Sequence, residues 1–301
     1  MPLDQCRGRT LIATVPAGNQ RAVNLCVVAS SDHIRHVSLV GRRGTAGDVK
    51  AASGATLDLQ RLASPSVPDR RPLPELIAHR GMPRRHRENT LSGFLAAIAA
   101  GATGWELDVH GTRDGVIVVH HDPVLPALAG ALGGVTIATL DSATLADATV
   151  GPAGERIPTL DAVLAAAGPE ITTYVEVKAR GVEQLVADCL SRHPDRRVAV
   201  HSFDHRIAHR VHELSPGTPV GILTDSYLVD APHALAAAGA RDFWPQREMV
   251  DAELVNAIHA SGGRVIVWTV NSPDDARRLR DLGVDGLCSD VVDEIRQALL
   301  H

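Results

Sequence analysis

IAHRGMPRRHRENTLSGFLAAIAAGATGWELDVHGTRDGVIVVHHD, residues 77–122, is the stretch on which the fold turns. It begins in an apolar run that ends on His79, with Arg80 next to it. A helical pattern from Thr90 to Ala100 follows and stops at Gly101. The chain then enters a second apolar run, Trp105–Val109, which carries Glu106 and Asp108. Side chains two apart on a strand share a face, so those two carboxylates project together. The tight-turn signal Arg113-Asp114-Gly115 leads into a third apolar run, Val116–His120, beyond which stands His121. Charged groups within or just after apolar strands are costly unless they have a task, which makes this segment a candidate active site.

Outward from this stretch the rhythm of strand and helix repeats to the C-terminus. Further strand candidates are Thr173–Val177, Val198–Ser202, Val220–Thr224, Asp242–Trp244, Val265–Val270 and Gly286–Ser289, with Leu76–His79 the first. Helical patterns lie between them, beginning at Leu160, Val182, His205, Ala231, Ala252, Asp274 and Val291. Thr90, Thr159, Asp204, Asp251 and Ser272 are suited to cap helix starts, and Gly239, Gly262 and Gly283 to end them. Alternation on this scale predicts an α/β fold, a TIM (β/α)8 barrel, over residues 73–301. The run Val116–His120 is one strand too many, and is expected as a small hairpin excursion after strand 2. A doubly wound sheet is disfavoured because no GxGxxG follows the first strand.

Residues 1–72 differ from the rest. Residues 1–70 hold nine Arg or Lys against five Asp and no Glu. Two apolar runs, Thr10–Val15 and Ala22–Ala29, and a third at His36–Val40 could form short strands, and SPSVPDRRPLPE reads as a linker. This extension is assigned no function. The whole chain of 301 residues has a formal charge of −5, which argues against a general nucleic-acid binder. No apolar run is long enough to span a bilayer, and no stable membrane insertion is expected. The four cysteines, Cys6, Cys26, Cys189 and Cys288, form no CxxC pair, and reduced thiols in a cytoplasmic protein are the expectation.

The chemistry follows from residue types. Glu176 repeats the i,i+2 arrangement with Lys178, which is one of only two lysines among 30 basic residues. Glu106, Asp108 and Glu176 at strand ends would repel one another unless a cation lay among them, and an all-oxygen set suits one hard divalent ion, Mg²⁺ or Ca²⁺. His79 and His121 stand at strand C-termini, where barrel enzymes place their reacting groups, and can serve as an acid–base pair. His120 should face away from His121. Arg80 can grip a phosphate in bidentate fashion and Lys178 can act as a point charge. Together these point to phosphodiester chemistry.

The pieces AHRG (78–81), ENT (88–90), ELD (106–108), TRDG (112–115), HD (121–122), IPTLDAVL (157–164), EVK (176–178), HSF (201–203), WTVN (268–271) and VDGLCSD (284–290) follow one another in an order and spacing that resemble the glycerophosphodiester phosphodiesterase family over roughly 225 residues. The resemblance implies hydrolysis of a small-molecule glycerophosphodiester to an alcohol and glycerol 3-phosphate in a metal-dependent TIM barrel. It implies His79 and His121 as acid and base, Glu106, Asp108 and Glu176 as metal ligands, and Arg80 and Lys178 as phosphate contacts. Glu88 and Asn89 would support the first loop, and Trp268 would line the pocket. The nucleophile could be water or the neighbouring glycerol hydroxyl. The chain departs from the family pattern after HD, where PVLPALAGALGG stands, and at Cys288. The basic loop MPRRHR is read as solvated. Two other functions compete: a lysophospholipase D-like reaction on lysophospholipids, and a non-catalytic barrel that binds phosphorylated ligands.

Overall fold

The computed structural model describes residues 72–301 and three strands before them, β1 (Thr10–Thr14), β2 (Asn24–Ser30) and β3 (His33–Val40). These three form an antiparallel sheet in the order β1-β2-β3, with Ile12 level with Cys26 and Cys26 level with Ser38. The chain divides into two compact units, Met1–Val67 and Pro68–His301. Most of the expected linker lies outside the described residues.

The larger unit is a closed barrel. Its strands are β4 (Glu75–His79), β5 (Gly104–Gly111), β7 (Thr172–Val177), β8 (Arg197–Ser202), β9 (Val220–Thr224), β10 (Asp242–Pro245), β11 (Arg264–Val267) and β12 (Gly286–Ser289). All neighbours are parallel, and β4 pairs with both β12 and β5 to close the ring. This is a TIM barrel. The surplus strand, β6 (Ile117–Val119), is antiparallel to β5 alone, as the hairpin reading expected. After it the chain makes two 3-10 turns and a one-turn helix, α2 (Ser142–Leu145), none of which the apolar pattern announced. Leu125, Ile137, Leu145, Val150 and Ile157 pack with Val118 into a small core of their own.

Eight longer helices ring the barrel: α1 (Leu91–Ala99), α3 (Leu160–Ala166), α4 (Glu183–Ser191), α5 (His205–Leu214), α6 (Ala231–Ala237), α7 (Ala252–Ala260), α8 (Pro273–Leu282) and α9 (Val292–Leu300). Their ends carry the expected chemistry. Thr90, Thr159, Asp204, Asp251 and Ser272 each accept a backbone N–H of the first turn, and Gly283 ends α8 at φ 88. No helix among the described residues is long and apolar enough to cross a membrane.

Strand alternation sorts the core into two layers. Leu76, Ala78, Trp105, Leu107, Val175, Val200, Ile222, Phe243, Val265 and Leu287 pack in the main cluster with the helices. Their neighbours Ile77, Tyr174, Ala199, Leu223, Trp244, Ile266 and Cys288 form a separate cluster inside the barrel. The large Trp244 ring fits there because Gly221 beside it has no side chain; a Cβ would come within 3.0 Å of the indole. At the N-terminal end of the strands the same inward face turns polar. Glu75 accepts from the Tyr174 hydroxyl at 2.7 Å and from Arg264 at 2.8 Å, and Asp242 accepts two bonds from Arg241. Burial, with the Glu75 charge beside it, pushes the Tyr174 hydroxyl pKa upward, so it stays a donor.

Removing Asp242 would leave Arg241 without its buried acceptor and take from Arg264 a carboxylate 3.6 Å away. Asp242→Ala is expected to lower stability by about 3 kcal/mol, read as a reduced midpoint in urea at unchanged slope.

Candidate active site at the C-terminal end of the barrel

Two residues beyond each apolar inward position the strands turn polar. Ile77 is followed by His79, Tyr174 by Glu176, Ala199 by His201, Ile266 by Trp268 and Cys288 by Asp290. Parallel pairing then sets these groups side by side. His79 is level with Glu106, while Asp108 is level with Glu176 and Glu176 with His201. His79, Arg80, Glu106, His121, Glu176, Lys178, His201, Phe203, Leu223, Trp244, Trp268, Thr269 and Cys288 line one cavity of about 310 Å³. The cavity has a charged side and an apolar side.

The loop after β4 is tightly built. Arg80 and Asn89 both take left-handed backbone conformations, with φ 55 and 56, and Asn89 N–H donates to the Arg80 carbonyl at 3.0 Å. Between them Gly81 packs on α1 so closely that a Cβ would lie 2.8 Å from the Gly93 carbonyl carbon. Asn89 is buried and clasps Asp108 from both sides. Its amide nitrogen donates to Oδ2 at 2.8 Å, and its carbonyl oxygen accepts the Asp108 N–H at 3.3 Å. Of the loop MPRRHR, Arg84, Arg85 and His86 are exposed, whereas Met82 is buried in the main core.

Charge in the cavity is only partly compensated. Lys178 Nζ lies 2.8 Å from Glu176 and 3.4 Å from Asp108. Arg80 bonds Glu88 at 3.2 Å, and its Nε stands 3.1 Å from Asp108 but off the hydrogen-bonding direction. Burial alone would raise the Asp108 carboxyl pKa, but the charges of Arg80 and Lys178 outweigh it and hold the group below its ordinary value. Burial and the Asp108 charge raise Glu176. Burial would lower Lys178, yet the Glu176 and Asp108 carboxylates raise it. Even so, Glu106 Oε1 and Asp108 Oδ1 are buried with no hydrogen-bond partner. A buried carboxylate oxygen left without a partner calls for one from outside the chain, a water or a cation.

Of the three carboxylates expected around an ion, Glu106 and Glu176 converge with His201, their donor atoms all within 4.8 Å of one another. Asp108 is one step further, engaged with Asn89, Arg80 and Lys178. His201 was not singled out in the sequence, although it stands at a strand end just as His79 does. It is fully buried, stacks on Trp244 at 4.4 Å, and has Nε2 3.8 Å from Glu106.

His79 and His121 both reach the cavity, and each meets a carboxylate at Nδ1: Asp290 at 2.6 Å for His79 and Asp122 at 2.8 Å for His121. Burial pulls the His79 pKa down, but the Asp290 hydrogen bond and the Glu106 charge more than reverse this, and it is raised. His110, two beyond Asp108 on β5, bonds the His121 backbone carbonyl at 3.0 Å and steadies its loop. His120 does not line the cavity, as its alternation with His121 required. On the apolar side, Trp268 bonds the Trp244 carbonyl at 3.0 Å and meets the Phe203 ring edge-on at 5.3 Å.

Comparison with known proteins agrees with this geometry. Residues 79–294 match the model of the glycerophosphoryl diester phosphodiesterase family. A glycerophosphodiester phosphodiesterase of Caldanaerobacter subterraneus subsp. tengcongensis is 32% identical over 226 residues, spanning 71% of this chain and 93% of the relative. One from Bacillus altitudinis is 29% identical over 233 residues, covering 73% and 95%. Among solved structures, an Oleispira antarctica phosphodiesterase in complex with the product sn-glycerol-3-phosphate superposes with TM-score 0.70 at 25% identity, over 76% of this chain and 98% of that one. The Thermotoga maritima glycerophosphodiester phosphodiesterase gives 0.64 at 26% identity, over 74% and 97%. The barrel is therefore that of a phosphodiester-cleaving enzyme. The chain belongs to the glycerophosphoryl diester phosphodiesterase family.

The Asn89 clasp makes a stability prediction. Asn89→Ala and Asn89→Gly both lose the bonds to Asp108, but only alanine must also hold φ 56. Chemical denaturation should therefore find the alanine variant less stable than the glycine variant by about 1 kcal/mol.

Proposed function

We propose that the chain hydrolyses glycerophosphodiesters to an alcohol and glycerol 3-phosphate, with His79 and His121 moving protons on a phosphate held by Arg80 and Lys178. The observation that carries this reading is a single cavity in which two carboxylate-backed imidazoles meet Glu106 and Glu176, one buried oxygen of Glu106 having no hydrogen-bond partner. Glu106, Asp108 and Glu176 would hold one divalent cation, since their oxygens suit Mg²⁺ or Ca²⁺ better than the His201 nitrogen does. Bound there, such an ion neutralises charge on the phosphate oxygens.

The chain's own groups do the rest. Arg80, with Nε free of a hydrogen bond, and Lys178 offer cationic donors to the phosphate. One imidazole takes the proton from the nucleophile, either water or the adjacent glycerol hydroxyl. The other delivers a proton to the departing alcohol. Trp268, Phe203 and Leu223 form the wall on which the carbon skeleton of the substrate packs and from which water is excluded.

A lysophospholipid substrate is the second reading. Aromatic residues are only 3% of the chain, which argued against an apolar entrance. Yet three of the few aromatics, Phe203, Trp244 and Trp268, line this cavity, and Phe203 is 43% exposed at its mouth. Turnover of lysophosphatidylcholine faster than glycerophosphocholine would favour it.

His79→Ala and His121→Ala are each expected to fold normally and to lose about 10²- to 10⁴-fold in kcat on glycerophosphocholine, measured as glycerol 3-phosphate release. Wild-type turnover in either variant would remove that histidine from proton transfer.

A further inference from the structure

The Nδ1 side of His79 is closed by a residue 211 positions away in the sequence. β12 pairs with β4, with Ser289 level with Ala78, so the next residue along each, Asp290 and His79, come together. Asp290 thereby places Oδ1 2.6 Å from His79 Nδ1. Asp122 holds His121 in a similar way, but from the adjacent position and on a side chain 70% exposed, whereas the Asp290 side chain is 20% exposed.

Asp290 is itself locked. Its backbone N–H, which can only donate, lies 2.9 Å from one side-chain atom of Asn271, and the Ser289 hydroxyl lies 3.2 Å from the same atom. That atom is therefore the Asn271 oxygen, and the amide nitrogen is turned toward Asp290 Oδ2, to which it donates at 2.7 Å. Ser289 Oγ in turn accepts the Val291 N–H at 3.0 Å. An ionised carboxylate only accepts, so Nδ1 of His79 must carry a hydrogen. In the neutral ring the lone pair is then on Nε2, which lies on the Glu106 side at 3.9 Å.

We propose that Asp290, braced by Asn271, is the positioning residue of His79, fixing its ring plane and its Nδ1–H tautomer so that Nε2 is the atom that exchanges a proton with the substrate. This rests on the reading of His79 as a proton-transfer group. Asp290 touches neither substrate nor reacting atoms and acts only through the imidazole.

The test is Asp290→Asn in the full chain, beside His79→Gln. Asn271 still donates toward position 290, so the new amide turns its oxygen to Asn271 and its NH₂ to His79. Nδ1 must then accept, and the hydrogen moves to Nε2. Expected are a fall of about 10²- to 10⁴-fold in kcat with KM within about threefold, by analogy with an aspartate that sets a catalytic histidine tautomer. With ¹⁵N-histidine labelling, the His79 signals, assigned by their loss in His79→Gln, should show the hydrogen moving from Nδ1 to Nε2. Asn271→Ala, which keeps the Asp290–His79 pair but frees the carboxylate, should lower kcat about tenfold with the hydrogen still on Nδ1. Unchanged kcat in Asp290→Asn, or a fall with the hydrogen remaining on Nδ1, overturns the proposal. Full turnover in His79→Gln overturns the proton-transfer reading itself. The two failures are separable, because an idle Asp290 leaves His79→Gln impaired and Asp290→Asn intact.

Discussion

Everything in the site depends on the parallel closure of β4 between β12 and β5. Closure fixes the register, and the register decides which inward side chains lie level with one another. Because side chains alternate, most strands contribute one apolar residue to the barrel interior and, two positions on, a residue at its rim, while β5 turns Glu106 and Asp108 to that face. The layer of Ile77, Tyr174, Ala199, Ile266 and Cys288 is thus the floor on which His79, Glu176, His201, Trp268 and Asp290 stand. A shift of one residue in any pairing would turn those groups outward among the helices.

The rim gathers more negative charge than burial tolerates, and the chain relieves only part of it. Lys178 and Arg80 stand between the carboxylates, and Asn89 holds Asp108 by both ends. The left-handed backbone at Arg80 and Asn89 brings these groups into the cavity at a local conformational cost that the packing of Gly81 on α1 supports. What remains without a hydrogen bond is Glu106 Oε1, together with Asp108 Oδ1, which faces Lys178 at 3.4 Å. Opposite this charge, Phe203, Trp244 and Trp268 give the cavity an aromatic wall.

The barrel was legible because its signals are local. Apolar runs ending in glycine-stopped, hydroxyl- or aspartate-capped helices gave the element order, and the Arg113-Asp114-Gly115 turn marked β6 as an excursion. Glu106, Asp108, Glu176, His79 and His121 were legible for the same reason, being polar residues on or just after apolar strands. Asp290 and His201 obey the same rule and were passed over. What gives Asp290 its meaning is His79, 211 residues earlier, and what gives His201 its meaning is Glu106 across two strand pairings. Neither distance is present in local periodicity. The 3-10 turn at Ala127–Leu132 was missed because Ala and Gly dominate 127–134 and leave no apolar period to read, and the second 3-10 turn and α2, of three and four residues, are too short to show one.

The most direct measurement is release of glycerol 3-phosphate from glycerophosphocholine and glycerophosphoethanolamine with EDTA, Mg²⁺ or Ca²⁺, for the wild type beside Glu106→Ala. The account predicts turnover that requires a divalent ion, is abolished by EDTA, is restored by adding metal back, and vanishes in the variant. Undiminished turnover in EDTA, or in Glu106→Ala, would contradict it.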